Sequence, residues 1–211
     1  MENTIDKAAL ARSGNSPRGQ VFSKAEMGGR IRDARKKLGL TLSELARKSG
    51  VSLASLSKAE RGLIALSYEK FLAVSRALQL DLSDLFAPSS PAGPRDIHVD
   101  RAGQGVSYTA HRYLYGMLAA EWPQKKMTPM YGRVEPGKPV NAADFSKHAG
   151  EEFIFVLSGS LTMQFENGRS ETLMQHDSIY FNSALGHHYL CASAEAVEIL
   201  VVCVNESESH G

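Results

Sequence analysis

Residues 87–94 divide the chain into two unlike parts, and this division constrains the fold more than any other feature of the sequence. The segment reads Ala-Pro-Ser-Ser-Pro-Ala-Gly-Pro and carries no charge. Its prolines prevent a helix from continuing, and its small side chains offer little apolar surface to bury. Because 211 residues can supply two domains, we predict a linker at 87–94 and a second domain over residues 95–211.

Charge separates the two parts as well. Residues 27–86 contain 11 Lys or Arg and 6 Asp or Glu, whereas residues 95–211 contain 9 and 14. Only the basic part is therefore expected to meet a polyanion. The chain has no uninterrupted apolar run of about 18 residues and no basic-then-apolar start. We expect a cytoplasmic protein with no membrane partner, in which Cys191 and Cys203 are small buried hydrophobes.

The basic part has the pattern of short helices. Residues 1–24 are polar and lack a sustained period, so we predict a flexible tail there. Over residues 27–86, apolar residues recur at helical intervals and polar caps break the run into five short helices. Gly50 suits a left-handed turn between the second and third of these helices. Two helices joined by such a tight turn are the unit that fits the major groove of DNA.

The third helix is the predicted reader of the DNA. If Leu56 points inward, this helix presents its N-terminal and outer residues to the bases, while nearby cations hold the phosphates. Taken singly, each of these residues is also what a solvated helical surface would carry. The predicted DNA-binding residues are Arg30, Arg32, Arg47, Lys48, Ser52, Leu53, Ala54, Ser55, Ser57 and Lys58.

Three runs in this region, Gly39–Ala46, Ser49–Ser52 and Leu56–Gly62, resemble the phage-repressor-like helix-turn-helix family, which is also called the XRE class. The resemblance implies a five-helix, lambda-repressor-like DNA-binding domain over residues 27–86. It also implies that Arg35 pairs with Glu60 as a structural brace.

The chain departs from that family at positions that often read bases. Leu42 stands where well-known members have glutamine, and Leu53 and Ala54 occupy two frequent base-reading positions. We therefore expect more of the sequence preference to come from DNA shape and apolar contacts.

From residue 95 onward, short runs of alternating apolar and polar residues are bounded by turn residues, which is typical of β-strands. Asn167-Gly168 is a favoured hairpin turn. The pattern predicts an all-β domain, either a sandwich or a small barrel. The predicted strands include residues 113–118, 153–157, 161–165, 178–181 and 197–204.

Residues 148–159 and 176–187 resemble the two signature motifs of cupins, which implies a double-stranded β-helix barrel. In metal-binding cupins these motifs supply three histidines and a glutamate. Matched by position, the first histidine is replaced by Ser146. The resemblance therefore leaves a possible divalent metal with His148, Glu152 and His187 as its ligands. The alternative is that these side chains are hydrogen-bonded polar groups or ligand contacts.

Aromatic residues add a candidate ligand pocket to the second domain. Ring faces and a cation there could hold a small organic molecule, although ordinary packing or a dimer interface would use the same residues. His188 is expected to point away from His187 and to be exposed. The predicted pocket comprises Tyr113, Tyr115, Tyr131, Arg133, His148, Glu152 and His187, with Trp122 as a further candidate.

The sequence thus predicts a multidomain α + β protein that regulates transcription by binding an operator in double-stranded DNA. One reading helix makes few base contacts, so we expect a homodimer that binds two half-sites. The second domain is expected to bind a small-molecule effector, and no catalytic residues are assigned. Two alternatives remain open. One is a metal-dependent cupin enzyme, a dioxygenase or isomerase, fused to a DNA-binding domain; the other is a β-domain that only dimerises.

Overall fold

The computed structural model describes residues 20–80, 82–86, 96–102, 105–110, 112–122, 125–137 and 145–204. The predicted linker at 87–94 lies outside these residues, as do residues 1–19 of the predicted tail. The remainder of that tail segment is not a flexible tail. Gln20–Phe22 forms strand β1, and Ser23 caps the first helix.

The described part of the basic region contains four α-helices. The fifth predicted helix is a single 3-10 turn, Leu82–Leu85. The chain leaves the last α-helix through Gln79, whose φ is +57°, and too few residues remain before Phe86 for a longer helix. The α-helices are α1 (Lys24–Lys37), α2 (Leu42–Ser49), α3 (Leu53–Glu60) and α4 (Tyr68–Ala77). Together with the 3-10 turn they form what we call the helical domain.

The turn between α2 and α3 follows the predicted local chemistry. The Thr41 hydroxyl accepts a hydrogen bond from the Glu44 amide at 3.2 Å, and the Glu44 carboxylate accepts one from the Thr41 amide. Gly50 ends α2 with φ +68°. The Ser52 hydroxyl then accepts the Ser55 amide at the start of α3. These bonds fix where each helix begins and so set the angle between them.

The described strands after residue 105 form two sheets, which we call the β-domain. The ladders are antiparallel except where β1 joins the larger sheet, and an isolated bridge links Ser146 to His187. The described ladders do not join the two sheets into the closed barrel that was predicted. The larger sheet has the order β1-β2-β3-β4-β10-β5-β8 and the smaller β7-β6-β9. Their strands are β2 (Val106–Ala110), β3 (Tyr113–Met117), β4 (Met127–Val134), β5 (Glu151–Ser158), β6 (Leu161–Phe165), β7 (Ser170–Leu173), β8 (Ser178–Asn182), β9 (His187–Cys191) and β10 (Val197–Val204).

The helical domain packs directly on the larger sheet. Strand β1 pairs in parallel with β2, with Val21 opposite Ser107. An aromatic cluster fills the junction: the ring of Tyr108 lies 4.9 Å from that of Phe71 and 6.4 Å from that of Phe86. In addition, the Leu66 amide donates a hydrogen bond to the Tyr108 hydroxyl at 3.1 Å.

None of the described helices is both long enough and apolar enough to cross a membrane.

Candidate functional site

The outer surface of α3 is open to solvent, as a DNA-reading helix requires. Leu56 of α3 is fully buried, whereas Leu53 at the start of the same helix is 47% exposed. Ser55 and Ser57 are half-buried. The other predicted contact residues on or next to this surface are exposed: Arg32, Arg47, Lys48, Ser52, Ala54 and Lys58.

Arg30 is better explained as a structural residue than as the predicted DNA contact. Its guanidinium lies 4.3 Å from the centre of the Phe22 ring and donates a hydrogen bond to the Leu85 carbonyl at 3.1 Å. These contacts tie α1 to β1 and to the 3-10 turn. Sequence spacing alone could not reveal them, because the partners lie eight and 55 residues away.

Arg35 and Glu60 form a bidentate ion pair between α1 and α3. The Arg35 Nε and Nη2 atoms lie 2.6 Å and 2.8 Å from the two carboxylate oxygens of Glu60. The Arg35 guanidinium also donates to the Leu40 carbonyl at 2.7 Å. The hydrogen bond with Glu60 raises the pKa of Arg35. The pair joins the end of α1 to the end of α3, as expected of a brace.

A second group of polar side chains is buried in the β-domain around Glu152. Glu152 is only 1% exposed on β5. Its Oε2 atom lies 3.1 Å from His148 Nε2 and 3.7 Å from His187 Nε2. Its Oε1 atom accepts a hydrogen bond from the Tyr189 hydroxyl. The structure therefore brings together the three predicted residues His148, Glu152 and His187.

Cys203 belongs to the same group, although the sequence predicts only a packing role for it. It lies opposite Glu152 in the β10–β5 ladder, and its Sγ atom is 3.5 Å from Glu152 Oε2. The alternation of β10 could have signalled this position, because Cys203 shares a face with the buried Val201 and Ile199.

Glu152 is held as a carboxylate in spite of its burial. Removal from water raises its pKa, but the hydrogen bond from His148, the charge of His187 and the hydrogen bond from Tyr189 together lower the pKa below its ordinary value. The net shift is downward. The site thus presents an anionic oxygen surrounded by nitrogen, sulfur and hydroxyl groups.

A tyrosine from the helical domain reaches the same place. Tyr68, the first residue of α4, stacks on Tyr115 with ring centres 5.9 Å apart and meets the His148 ring edge-on at 5.7 Å. Burial and the neighbouring Cys203 and Glu152 raise the pKa of its hydroxyl. The sequence does not predict this role for Tyr68, because the apolar spacing of α4 indicates only a helical core.

The predicted aromatic pocket is only partly assembled. Tyr113 and Tyr115 lie on the inner face of β3, and their rings stack at 6.0 Å. Tyr131 and Arg133 were predicted to join them, but the alternation of β4 places both on the opposite face from the buried Thr128 and Met130, so this part of the prediction is corrected. The further candidate Trp122 lies in the connection between β3 and β4.

His188 is not exposed as expected. Its Nε2 atom lies 2.9 Å from the Tyr113 hydroxyl, and only 7% of the residue is accessible. Tyr113 also donates a hydrogen bond to the Tyr189 carbonyl at 2.6 Å. The sheet edge beside β9 is thus covered by β3, which simple alternation along β9 did not predict.

The residues around Glu152 fit a divalent metal ion by their chemistry. One nitrogen of His148, one oxygen of Glu152 and the sulfur of Cys203 all lie within 4.8 Å of one another. Imidazole, carboxylate and thiolate are ligands of zinc, iron and related ions. This set differs from the predicted one, because Cys203 joins His148 and Glu152 while His187 lies beside them.

Comparisons with known proteins agree with this arrangement of domains. A helix-turn-helix family model matches residues 31–85, and a cupin domain model matches residues 130–203. The crystal structure of an HTH_3-family transcriptional regulator from Vibrio cholerae is 19% identical, has a TM-score of 0.60, and aligns over 87% of this chain and 97% of that chain. It shows a shared fold.

Hydroxypropylphosphonic acid epoxidase from S. wedmorenis is 19% identical with a TM-score of 0.45, over 86% of this chain and 98% of that one. A search of curated proteins gives no match. The two family matches follow each other along one chain, so residues 31–85 are a helix-turn-helix domain and residues 130–203 are a cupin domain.

Proposed function

We propose that this regulator binds operator DNA as a homodimer, through α3 of each copy, and that its cupin domain binds a small-molecule effector near Glu152. The observation that carries the DNA-binding part is the orientation of α3. Leu56 is buried and Leu53 and Lys58 are exposed, so the helix turns its N-terminal and outer residues to solvent. Arg47 and Lys48, at the end of α2, flank that surface. This role is consistent with the cytoplasmic location expected from the sequence.

The DNA contacts can be tested by salt dependence. Fragments selected from a random pool are bound by the full chain, and affinity is measured by fluorescence anisotropy at several salt concentrations. Each phosphate contact that is lost should reduce the slope of log K against log salt by about 1. Lys58→Ala should therefore weaken binding and flatten the slope.

The matched control is Lys126→Ala, which removes the same charge from an exposed position in the β-domain. It should leave the slope unchanged. Binding that is independent of salt, or that is unaffected by Lys58→Ala, would contradict the proposed phosphate contact.

The outer face of the larger sheet supports the homodimer. Register places Pro129, Val202, Phe153 and Tyr180 side by side across four strands, on the face that points away from Glu152. Tyr180 is 62% exposed, and Met127 and Val204 add exposed apolar surface in the neighbouring row. An apolar face of this extent is typical of an interface.

The interface can be tested by sedimentation. Val202→Lys places a charge in the centre of the apolar face and should shift the dimer toward the monomer. Ser170→Lys, on the exposed strand β7, is the control and should sediment as the unchanged protein does. A dimer that persists in Val202→Lys would locate the interface elsewhere.

The donor set around Glu152 also favours a second candidate, a metal-dependent cupin enzyme. His148, Glu152 and Cys203 would hold the metal, which would act as a Lewis acid on a bound substrate. Metal analysis of protein purified without chelator tests this candidate. A stoichiometric metal that is lost in Cys203→Ser and in His148→Ala would favour it.

The effector part is tested by thermal-shift screening of amines, organic acids and sugars. Stabilisation that disappears in Glu152→Gln supports an effector at this site. If no compound stabilises the fold at saturating concentration, the β-domain serves only for dimerisation.

A further inference from the structure

Tyr68 lies on α4 of the helical domain, yet its side chain ends inside the buried site of the cupin domain. The residue is 9% exposed. Its ring is packed between Tyr115 and His148, at 5.9 Å and 5.7 Å between ring centres. The helical domain thus contributes one wall of the site that surrounds Glu152.

The hydroxyl of Tyr68 is buried without a hydrogen-bond partner among the described residues. Native proteins rarely leave a buried hydroxyl unsatisfied, because the group loses its bonds to water and gains none in return. Burial, together with the neighbouring Cys203 and Glu152, raises the pKa of this hydroxyl. The Tyr68 ring contacts His148 at 5.7 Å between ring centres, and His148 Nε2 lies 3.1 Å from Glu152 Oε2, so a ligand that reaches Glu152 would meet the Tyr68 side chain.

The position of Tyr68 depends on contacts between the two domains. Two residues earlier, the Leu66 amide donates to the Tyr108 hydroxyl on β2. Three residues later, Phe71 packs edge-on against the ring of the same Tyr108. By contrast, Ser67 makes no side-chain bond that caps α4, whereas Ser23, Thr41 and Ser52 cap the other three described α-helices. The start of α4 is therefore held in part by the β-domain.

We propose that Tyr68 is an occupant of the effector site supplied by the DNA-binding domain, and that a ligand reaching Glu152 displaces it and so releases α4 from the sheet. This inference rests on the proposed effector-binding function. A ligand can shift the protein between two arrangements only if it binds them unequally. Competition with the Tyr68 ring for one space provides that difference.

Displacement of Tyr68 should change how α3 is presented to DNA. α4 packs against α2, which carries the turn into α3. In this structure Tyr68 is docked against Tyr115 and His148, and the outer residues of α3 are exposed. Docking also fixes each helical domain relative to its own β-domain, and hence relative to the other copy in a dimer. Release should therefore weaken binding to two linked half-sites more than binding to one.

The first experiment measures access to the buried site through Cys203. The chain has two cysteines, so Cys191→Ser leaves Cys203 as the single thiol. Alkylation of this full-length background by iodoacetamide is followed by intact mass. Tyr68→Ala should raise the rate at Cys203 roughly tenfold by opening the site, and Tyr68→Phe, which keeps the ring, should leave it nearly unchanged.

Leu63→Ala is the matched control, because Leu63 is an exposed residue of the same domain. Circular dichroism establishes that each variant is folded. If Tyr68→Ala fails to fold, Tyr108→Phe provides the same test, since it removes the bond to Leu66 and should raise the rate roughly threefold. Rates within about twofold of the background in the folded variant would overturn the proposal.

The second experiment measures coupling to DNA. A fragment with two selected half-sites and a fragment with one are titrated with the background protein and with Tyr68→Ala. The variant should bind the double site at least roughly threefold more weakly and the single site equally well. Equal binding of the double site would overturn the coupling, and so would loss of both, which would make Tyr68 only a folding residue. If no variant binds any DNA while Cys203 still responds, the DNA-binding function fails and the placement of Tyr68 stands.

Discussion

Gly28 of α1 lies against the carbonyl oxygen of Ala59 in α3, so closely that a Cβ atom at residue 28 would come within 2.1 Å of that oxygen. Such a contact forces the two helices apart, because backbone atoms cannot move aside as the end of a side chain can. We expect Gly28→Ala to lower the free energy of unfolding by about 2 kcal/mol, as measured by urea denaturation.

Gly29 provides the control for that substitution. A Cβ atom on Gly29 would meet nothing within 4 Å. Gly29→Ala should therefore stabilise α1 by about 0.5 to 1 kcal/mol, as alanine does in an exposed helix. If Gly28→Ala and Gly29→Ala behaved alike, the close approach of α1 to α3 would not exist in solution.

The brace between Arg35 and Glu60 should respond strongly to loss of one partner. Glu60→Gln leaves the guanidinium with a neutral acceptor in a position that is nearly closed to water. We expect a loss of about 3 kcal/mol in the free energy of unfolding. The exposed pair of Arg169 and Glu171 gives the comparison, and Glu171→Gln should change the unfolding midpoint little.

Because of Tyr108, we expect the free energy of unfolding to fall at alkaline pH. Burial raises the pKa of its hydroxyl to about 12, although the bond from Leu66 lowers it somewhat. Since the folded pKa exceeds the unfolded value of 10, the stabilisation is fully present below pH 10 and is lost as the pH rises toward 12. In Tyr108→Phe this dependence should be weaker. Absorbance of tyrosinate measures the ionisation, and a pKa near 10 in the folded protein would refute the burial.

Because of Glu152, we expect the free energy of unfolding to fall at acidic pH as well. Its pKa lies below the ordinary value of 4.5, because its partners outweigh the effect of burial. The carboxylate therefore contributes stability above pH 4.5 that is lost as the pH falls through the folded pKa. We expect the stability advantage over Glu152→Gln to shrink in acid. Denaturation at several pH values measures it, and a constant difference would contradict the charged state.

The local features of the helical domain were predictable because short-range chemistry determines them. The spacing of Thr41 and Glu44 gave the capping box, and Gly50 gave the left-handed turn. Strand β1 was missed because three residues carry no periodic signal and their partner strand begins at Val106. The sequence predicts a helix where the 3-10 turn lies, because the caps and apolar spacing of the two structures look the same over one turn.

The buried site was only partly predictable. Motif spacing brought His148, Glu152 and His187 together, but the strand face of Tyr131 depends on register, which the sequence left undetermined. Cys203 reaches the site through pairing of β10 with β5. Tyr68 reaches the buried site from the helical domain. No pattern within α4 distinguishes a residue that packs in the helical core from one that packs in the β-domain.

Strand β1 precedes the four described α-helices, whereas Leu66 and Tyr68 come after α3, and each of these segments contacts the β-domain. The helix-turn-helix unit is consequently attached to the β-domain at two points, one before it in the chain and one after it. A protease cut at 87–94 should leave the two domains associated. An isolated 24–86 fragment would lack β1, and it would also lack the sheet surface that Leu66 and Tyr68 contact. If the Leu66–Tyr68 contacts open while β1 stays paired with β2, the unit can rotate about β1 but cannot separate from the β-domain.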